Sequence, residues 1–87
     1  MKAEQMVIGK IHFISFGEQT QLVVRFKEID MCNIKFFDSI HYWNSFETFH
    51  KNQSRNYCVK NGITEIRPAT LPEKHALLKF EIENNCI

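Results

Sequence analysis

The residue types in this chain that could hold a metal ion are cysteine and histidine, with three of the first and four of the second. Structural zinc sites use pairs of ligands at short spacing, because two ligands on one turn place both donor atoms without ordering much chain. In this sequence no two of these residues stand within five positions of each other. We therefore expect no metal and no other cofactor. The residues are His12, Cys32, His41, His50, Cys58, His75 and Cys86.

One thiol, that of Cys58, is a candidate nucleophile. A nearby cation such as Arg55 would lower the pKa of the thiol. The last turn of a helix, where Cys58 is expected, opposes this effect because the helix dipole disfavours a thiolate there. The three glycines are isolated, at positions 9, 17 and 62, so no glycine-rich phosphate loop is recognisable. These patterns predict no catalytic residue, and an enzyme is the less favoured class.

A basic segment without acidic residues runs from Thr48 to Thr64. Cations beside aromatic rings suit phosphate contact with base stacking, and histidine with arginine would suit a metal-free ribonuclease. The same composition is typical of a solvated helix face, and the formal net charge of the chain is only +1. Nucleic-acid binding or ribonuclease activity is therefore the alternative interpretation. Its residues would be His50, Lys51, Arg55 and Lys60.

A second group of residues favours contact with another protein. Trp43 is the only tryptophan, and tryptophan and tyrosine are prominent among the residues that dominate binding energy at interfaces. A partly covered core tryptophan is the competing interpretation. The predicted protein-binding residues are Phe37, His41, Tyr42 and Trp43.

The aromatic segment 36–57 is expected to position both groups of residues. Six of the eleven aromatic residues lie between Phe36 and Phe49. On a helical wheel Tyr42, Phe46 and Phe49 share one side, together with Tyr57, at the spacing of a buried helical stripe. The spacing therefore predicts an amphipathic helix whose aromatic side faces the core.

The bounds of this predicted helix come from capping residues. Its start is left open between Ser39 and Ser45, because Asp38 and Ser45 are both acceptable N-caps. Its end is expected near Lys60, because Asn61-Gly62 supplies the left-handed residue that commonly terminates a helix.

Three strands are predicted before the helix. Residues 6–16 and 20–29 alternate between apolar and polar positions, and the short polar loop 17–19 between them contains a glycine. This pattern predicts a β-hairpin. Residues 33–37, or a little further, form the third strand in this interpretation.

Two further strands are predicted after the helix. Residues 63–67 form a short strand that ends at Pro68, because proline cannot donate a ladder hydrogen bond. Residues 68–73 are interpreted as a loop. The last strand covers residues 75–83, whose inward positions would be Ala76, Leu78, Phe80 and Ile82.

We therefore expect one compact domain over residues 1–87, of the α+β class. The sheet would be antiparallel with four or five strands, in the chain order β-β-β-α-β-β, and the helix would lie across one face. A small curled barrel with the helix as a plug is the alternative architecture.

The predicted strands have more apolar surface than one helix can cover. A contiguous exposed apolar face usually marks a partner surface or self-association. The composition and net charge therefore favour a small non-enzymatic protein-binding module, an inhibitor or adaptor of the kind that phages and mobile elements encode, or a homodimer. The residues assigned to the surplus face are Ile8, Ile14, Phe16, Val23 and Phe37.

The compartment is predicted from the cysteines and from the amino terminus. An odd number of widely spaced cysteines favours reduced thiols in a cytoplasm. The first ten residues contain no apolar signal region, and no later run has the length of a membrane span.

Overall fold

The structure is a computed structural model, and it describes residues 2–17, 20–43, 46–51, 57–59 and 61–84. Within these residues it contains a short 3-10 turn at Ala3–Gln5, six β-strands and one α-helix. The predicted α+β class, with one antiparallel sheet and one helix, is confirmed. The strands are β1 (Ile11–Ser15), β2 (Thr20–Asp30), β3 (Asn33–Trp43), β4 (Phe46–Lys51), β5 (Tyr57–Val59) and β6 (Glu65–Pro68), and helix α1 spans Leu71–Glu83.

The sheet has the strand order β4-β3-β2-β1-β6, and all its pairs are antiparallel. β1 and β2 form the predicted hairpin, in which Phe13 lies opposite Val23. β2 takes one side of β3 along its length, while β4 and the short β5 share the other side. Over the described residues the strand order therefore has two ends, β4 and β6, and does not close into the alternative barrel.

The predicted aromatic helix is wrong where the structure describes the segment. β3 continues through Trp43, β4 follows at Phe46–Lys51, and β5 begins at Tyr57. Aromatic residues favour strands, and the asparagines and serines between them are weak helix formers. The pairing of β3 with strands on both sides therefore overrides the helical periodicity of the segment.

The helix lies instead over residues 71–83, most of which were predicted to form the last strand. Thr70 caps it, because its Oγ1 accepts the amide of Glu73 while the Glu73 carboxylate accepts the amide of Thr70 at 2.7 Å. This reciprocal arrangement is a capping box. Over the described ranges the chain order is therefore six strands followed by one helix, and the predicted order β-β-β-α-β-β is corrected.

Helix α1 is anchored by two buried side chains, Leu77 and Glu81, which are four residues apart and so lie on one face of the helix. Ile82, which the strand interpretation directed inward, is exposed. Among the described residues, no helix has both the length and the apolar character needed to cross a bilayer.

Both faces of the sheet are covered within the chain. We call the face under α1 the helix face, and the other the opposite face, which Ala3 and Met6 help to cover. Ile14 and Val23, both assigned to a surplus apolar face, are fully buried on different faces, so that expectation is wrong for these two residues, while Ile8 is exposed. The buried core of the helix face is Ile11, Phe13, Val23, Ile40, Ala69 and Leu77.

Candidate functional site: the β4 edge of the sheet

β4 is the outermost strand on its side, and over the described residues it pairs only with β3. This register brings most of the predicted site residues together. His41, Tyr42 and Trp43 lie on β3, one strand in from the edge, while His50 and Lys51 lie on β4 itself. The opposed pairs are Trp43–Phe46, Tyr42–Glu47, His41–Thr48, Ile40–Phe49, Ser39–His50 and Asp38–Lys51.

The inner strand of this edge is held by the body of the protein. Tyr42 is half-buried and packs against the core of the helix face. His41 is also half-buried, at the adjacent strand position, which belongs to the opposite face. Both residues make interactions within the fold. β3 therefore gives β4 a firm support, which a strand at the edge of a sheet needs if it is to present its outer side.

Phe37 lies at an irregular point of the sheet, near the end of β4. In the β2–β3 register Arg25 is opposite Asp38 while Phe26 is opposite Phe36, so Phe37 is an extra residue in β3. Such a β-bulge changes the direction in which a side chain leaves the strand. The Phe37 ring is half-buried, and the ammonium of Lys27 lies 5.7 Å from its centroid.

His50 and Lys51 do not lie on the helix on which the nucleic-acid alternative depended. His50 and Lys51 are consecutive strand residues, and consecutive positions of a strand belong to opposite faces of the sheet. Arg55 and Lys60 lie outside the described residues. In the described part of the segment, the cations are therefore not collected on one helix face.

The other end of the sheet, β6, differs from β4 in length and in its neighbours. It has four residues, pairs with β1, and ends at Pro68. The guanidinium of Arg67 forms two hydrogen bonds to the Glu73 carboxylate, at 2.8 and 2.9 Å, and lies 3.9 Å from the centroid of the Phe13 ring. These contacts tie β6 to the first turn of α1.

A buried charged cluster between the sheet and α1 was missed by the sequence analysis. Arg25 of β2 donates two hydrogen bonds to Glu81 of α1, at 2.6 and 2.7 Å, and a third to the carbonyl of Gly9 at 2.6 Å. Glu81 is fully buried, and Asp38 of β3, opposite Arg25, is buried as well. The two carboxyl groups lie close enough to shift each other's pKa.

The two carboxyl groups of this cluster have opposite pKa shifts. Burial, the hydrogen bond to Glu81 and the charge of Glu81 raise the pKa of Asp38 to about 8. Burial also acts to raise the pKa of Glu81, but the hydrogen bonds from Arg25 and Asp38 outweigh it and hold that pKa below its usual value. Near neutral pH the cluster therefore contains a protonated Asp38, an ionised Glu81 and a cationic Arg25.

This cluster is suited to anchoring the helix rather than to catalysis. Glu81 is enclosed, so its carboxylate is inaccessible to a substrate. The Oδ1 atom of Asp38 has no hydrogen-bond partner among the described residues. The sequence signal for the cluster is an acid four residues after Leu77 in a helix with a T-x-x-E capping box. That signal can be recognised only when residues 71–83 are interpreted as a helix.

Two further reactive side chains, His12 and Cys58, have pKa shifts that do not suit catalysis. Burial lowers the pKa of His12, a shift that the carbonyl of Lys10 partly opposes, so this buried imidazole is neutral near pH 7. Burial raises the pKa of Cys58 to about 12, so its thiol remains protonated and is a poor nucleophile. Within the described ranges no three candidate ligands stand together to hold a metal ion.

An open groove of about 300 Å³ lies beside β6, between residues 2–4 and residues 63–66.

Comparisons of the chain with protein-family models, curated proteins and solved structures found no match. A function for this protein must therefore be inferred from its own geometry.

Proposed function

We propose that the protein is a small non-enzymatic protein-binding module that takes up an extended segment of another protein along β4. The observation that supports this most is the free outer side of β4, a strand of six residues that pairs only with β3 over the described residues. A strand edge exposes unpaired amides and carbonyls, which an incoming strand can pair with. Main-chain pairing of this kind supplies affinity, and pockets for alternate side chains supply specificity.

The composition of β4 supports the same proposal. Natural sheets protect their edges with proline, bulges, very short strands or charged side chains, especially lysine. β4 contains no proline or glycine, its one lysine is the final residue, Lys51, and Glu47 is its other charged residue. β6, in contrast, is short and ends in proline. Of these two edges, β6 therefore has the features that normally protect an edge strand against aggregation, and β4 has fewer of them.

The predicted binding residues have specific places in this proposal. Trp43, Tyr42 and His41 lie on β3, directly behind the first residues of β4. Phe37 lies at the bulge beyond the pair of Asp38 with Lys51, where β4 ends. Aromatic residues at the two ends of a strand-binding edge would contact the side chains of the bound segment and fix its register.

An inhibitor or adaptor is the kind of protein that this mode of binding suits, and phages and mobile elements encode many of that size. We place the protein in a cytoplasm, because the two cysteines that the structure describes, Cys32 and Cys58, are free thiols.

Selection from a random peptide library displayed on phage tests the proposed function. We expect the selected peptides to be extended sequences without internal proline, with affinities in the micromolar range and a weak dependence on salt. RNA and DNA oligonucleotides form the other arm of the test. Submicromolar nucleic-acid binding that falls steeply with salt, without any peptide selected along β4, would contradict the proposal.

A matched pair of proline variants shows whether bound peptides use the outer side of β4. Consecutive strand residues direct their amides to opposite sides, so one of Thr48→Pro and Phe49→Pro removes an outward amide and the other an amide paired with β3. The variant that keeps the melting temperature of the wild type should lose peptide binding. Retained binding in that variant would contradict strand addition at β4.

A further inference from the structure

The residues of β4 are complementary to the same strand in reverse. Two copies of β4 can pair antiparallel and join their sheets into one continuous sheet. The two-fold axis that relates the copies is then perpendicular to the sheet. Each face of one copy therefore continues the same face of the other. Opposed residues must then lie on the same face. The axis therefore passes through a residue, and Thr48 or Phe49 gives the longest overlap within Phe46–Lys51.

The charges of β4 distinguish these two registers. With the axis at Phe49, Glu47 lies opposite the partner's Lys51, and the symmetry repeats this pair on the other side of the axis. With the axis at Thr48, Glu47 lies opposite the partner's Phe49 instead. Opposite charges that face each other across two strands stabilise the pairing. The register at Phe49 is thus the one that the charges favour.

We propose that the partner that pairs with β4 is a second copy of this chain, in an antiparallel register centred on Phe49. This inference rests on the proposed function, because both use the outer side of β4. In the register of each copy, positions 47, 49 and 51 lie opposite Tyr42, Ile40 and Asp38, which belong to the helix face. Positions 47, 49 and 51 of both copies therefore belong to the helix face of the joined sheet.

The geometry of the other edge explains why the assembly stops at two copies. A two-fold contact uses the β4 edge of both chains at once, so no β4 edge remains. A third chain would have to join at β5, which is three residues long, or at β6, which is four residues long and ends at Pro68. Proline has no amide to donate, so β6 is a poor template for another strand. The pairing therefore closes as a dimer rather than extending as a fibre.

Disulfide trapping tests the register. The chain is prepared with Cys32, Cys58 and Cys86 replaced by serine, and then with Phe49→Cys or, as the matched control, Thr48→Cys. Directly opposed residues have Cα atoms about 4.5–5.5 Å apart, within disulfide reach. With the axis at Phe49, Thr48 lies opposite the partner's His50, so the two Thr48 residues are offset by two positions along the strands and exceed the roughly 7 Å limit. Under mild oxidation we expect a covalent dimer from Phe49→Cys and none from Thr48→Cys.

Charge exchange tests the same pairing without relying on a new cysteine. Glu47→Lys and Lys51→Glu should each raise the dissociation constant of the dimer roughly tenfold or more, because each places like charges opposite one another twice. The double variant restores both pairs and should return the constant to within about threefold of the wild type. Lys79→Glu, on the exposed side of α1, is the control and should change nothing. Analytical ultracentrifugation over a concentration series provides the constants.

Two results would overturn the self-pairing. The first is a wild-type chain that stays monomeric at high concentration. The second is a dimer in another register, in which the double charge variant does not restore the wild-type dissociation constant or Thr48→Cys forms the disulfide instead of Phe49→Cys. A monomer that still binds selected peptides along β4 would overturn the self-pairing alone. A monomer that binds no extended segment along β4 would overturn the proposed function as well.

Discussion

The two edges of the sheet, β4 and β6, differ in length, in composition and in their contacts with the rest of the chain. β6 has four residues, ends at a proline, and is tied to α1 by the pair of Arg67 with Glu73. β4 has six residues without proline or glycine, and over the described residues only β3 pairs with it. Both edges belong to one antiparallel sheet, so the difference cannot come from strand geometry alone. Over the described residues, the chain therefore protects one edge and shows no second partner strand along the other.

The protected edge depends on the attachment of α1, because only Ala69 and Thr70 separate β6 from the helix. The attachment in turn depends on the buried cluster of Arg25, Asp38 and Glu81. The open edge depends on β3, whose residues contribute to the cores of both faces. Substitutions in the cluster, at the helix cap and along β4 should therefore have distinct consequences.

The largest effect is expected from Glu81→Ala. Removing one member of a buried ion pair commonly costs 3–5 kcal/mol. We expect a loss in the free energy of unfolding at the lower end, about 3 kcal/mol, because Asp38 can release its proton and partly replace the lost carboxylate. Chemical denaturation measures the loss. A melting curve like that of the wild type would show that α1, and with it the β6 edge, is held by other contacts.

The next effect is a dependence of stability on pH that originates at Asp38. Its pKa is about 8 in the folded chain against an ordinary value of 3.8, so the folded state keeps a proton that the unfolded state releases. The stability that this proton contributes is fully present below about pH 4 and is lost as the pH rises through about 8. The slope should not exceed about 1.4 kcal/mol per pH unit, the value for one proton.

Glu81 acts in the opposite sense at low pH. Its pKa is lowered in the folded chain, so the stability contributed by its ionised form is lost as the pH falls below the ordinary value of 4.5. An asparagine at position 38 cannot ionise. Asp38→Asn should therefore make the free energy of unfolding nearly independent of pH above about 4.5, while the loss of stability at lower pH, which Glu81 causes, should remain. Denaturant unfolding over the pH range checks this. Parallel profiles for the wild type and Asp38→Asn would contradict a protonated Asp38.

A smaller effect is expected at the cap of α1, next to β6. Thr70→Ala removes the side chain that accepts the Glu73 amide, and such a change typically costs about 1 kcal/mol. Lys74→Ala, in the same turn and exposed, is the matched control and should stay within about 0.5 kcal/mol of the wild type. Equal losses in the two variants would show that the capping box does not contribute to the attachment of β6.

Sequence patterns identified the parts of this fold that local signals determine. The hairpin of β1 and β2 follows from the clean alternation of residues 20–29, the imperfect alternation of residues 6–16 and the loop glycine Gly17, and the end of β6 follows from Pro68. The aromatic segment was misinterpreted, because rings at Tyr42, Phe46 and Phe49 satisfy a helical period although they lie on two paired strands. A period found in one segment cannot reveal the strands that pair with it.

The prediction of a strand over residues 75–83 was wrong for a related reason. Ala76, Leu78 and Phe80 alternate as in a strand, yet the capping box of Thr70 with Glu73 starts a helix there. The partner of Glu81 is Arg25, which is 56 residues away in the chain, so their pairing had no local signal. Three of the four predicted protein-binding residues lie together beside β4 for the simple reason that they are consecutive.

Amide hydrogen exchange across both edges, with and without a bound extended segment, tests the central claim most directly. With a saturating selected peptide, or with the covalent dimer of Phe49→Cys, exchange at the outward amides of β4 should slow at least about tenfold, because those amides then have main-chain acceptors. The amides of Glu65–Arg67 in β6 should keep their rates. Protection that is located at β6 or on α1, with β4 unchanged, would contradict the assignment of binding to the β4 edge.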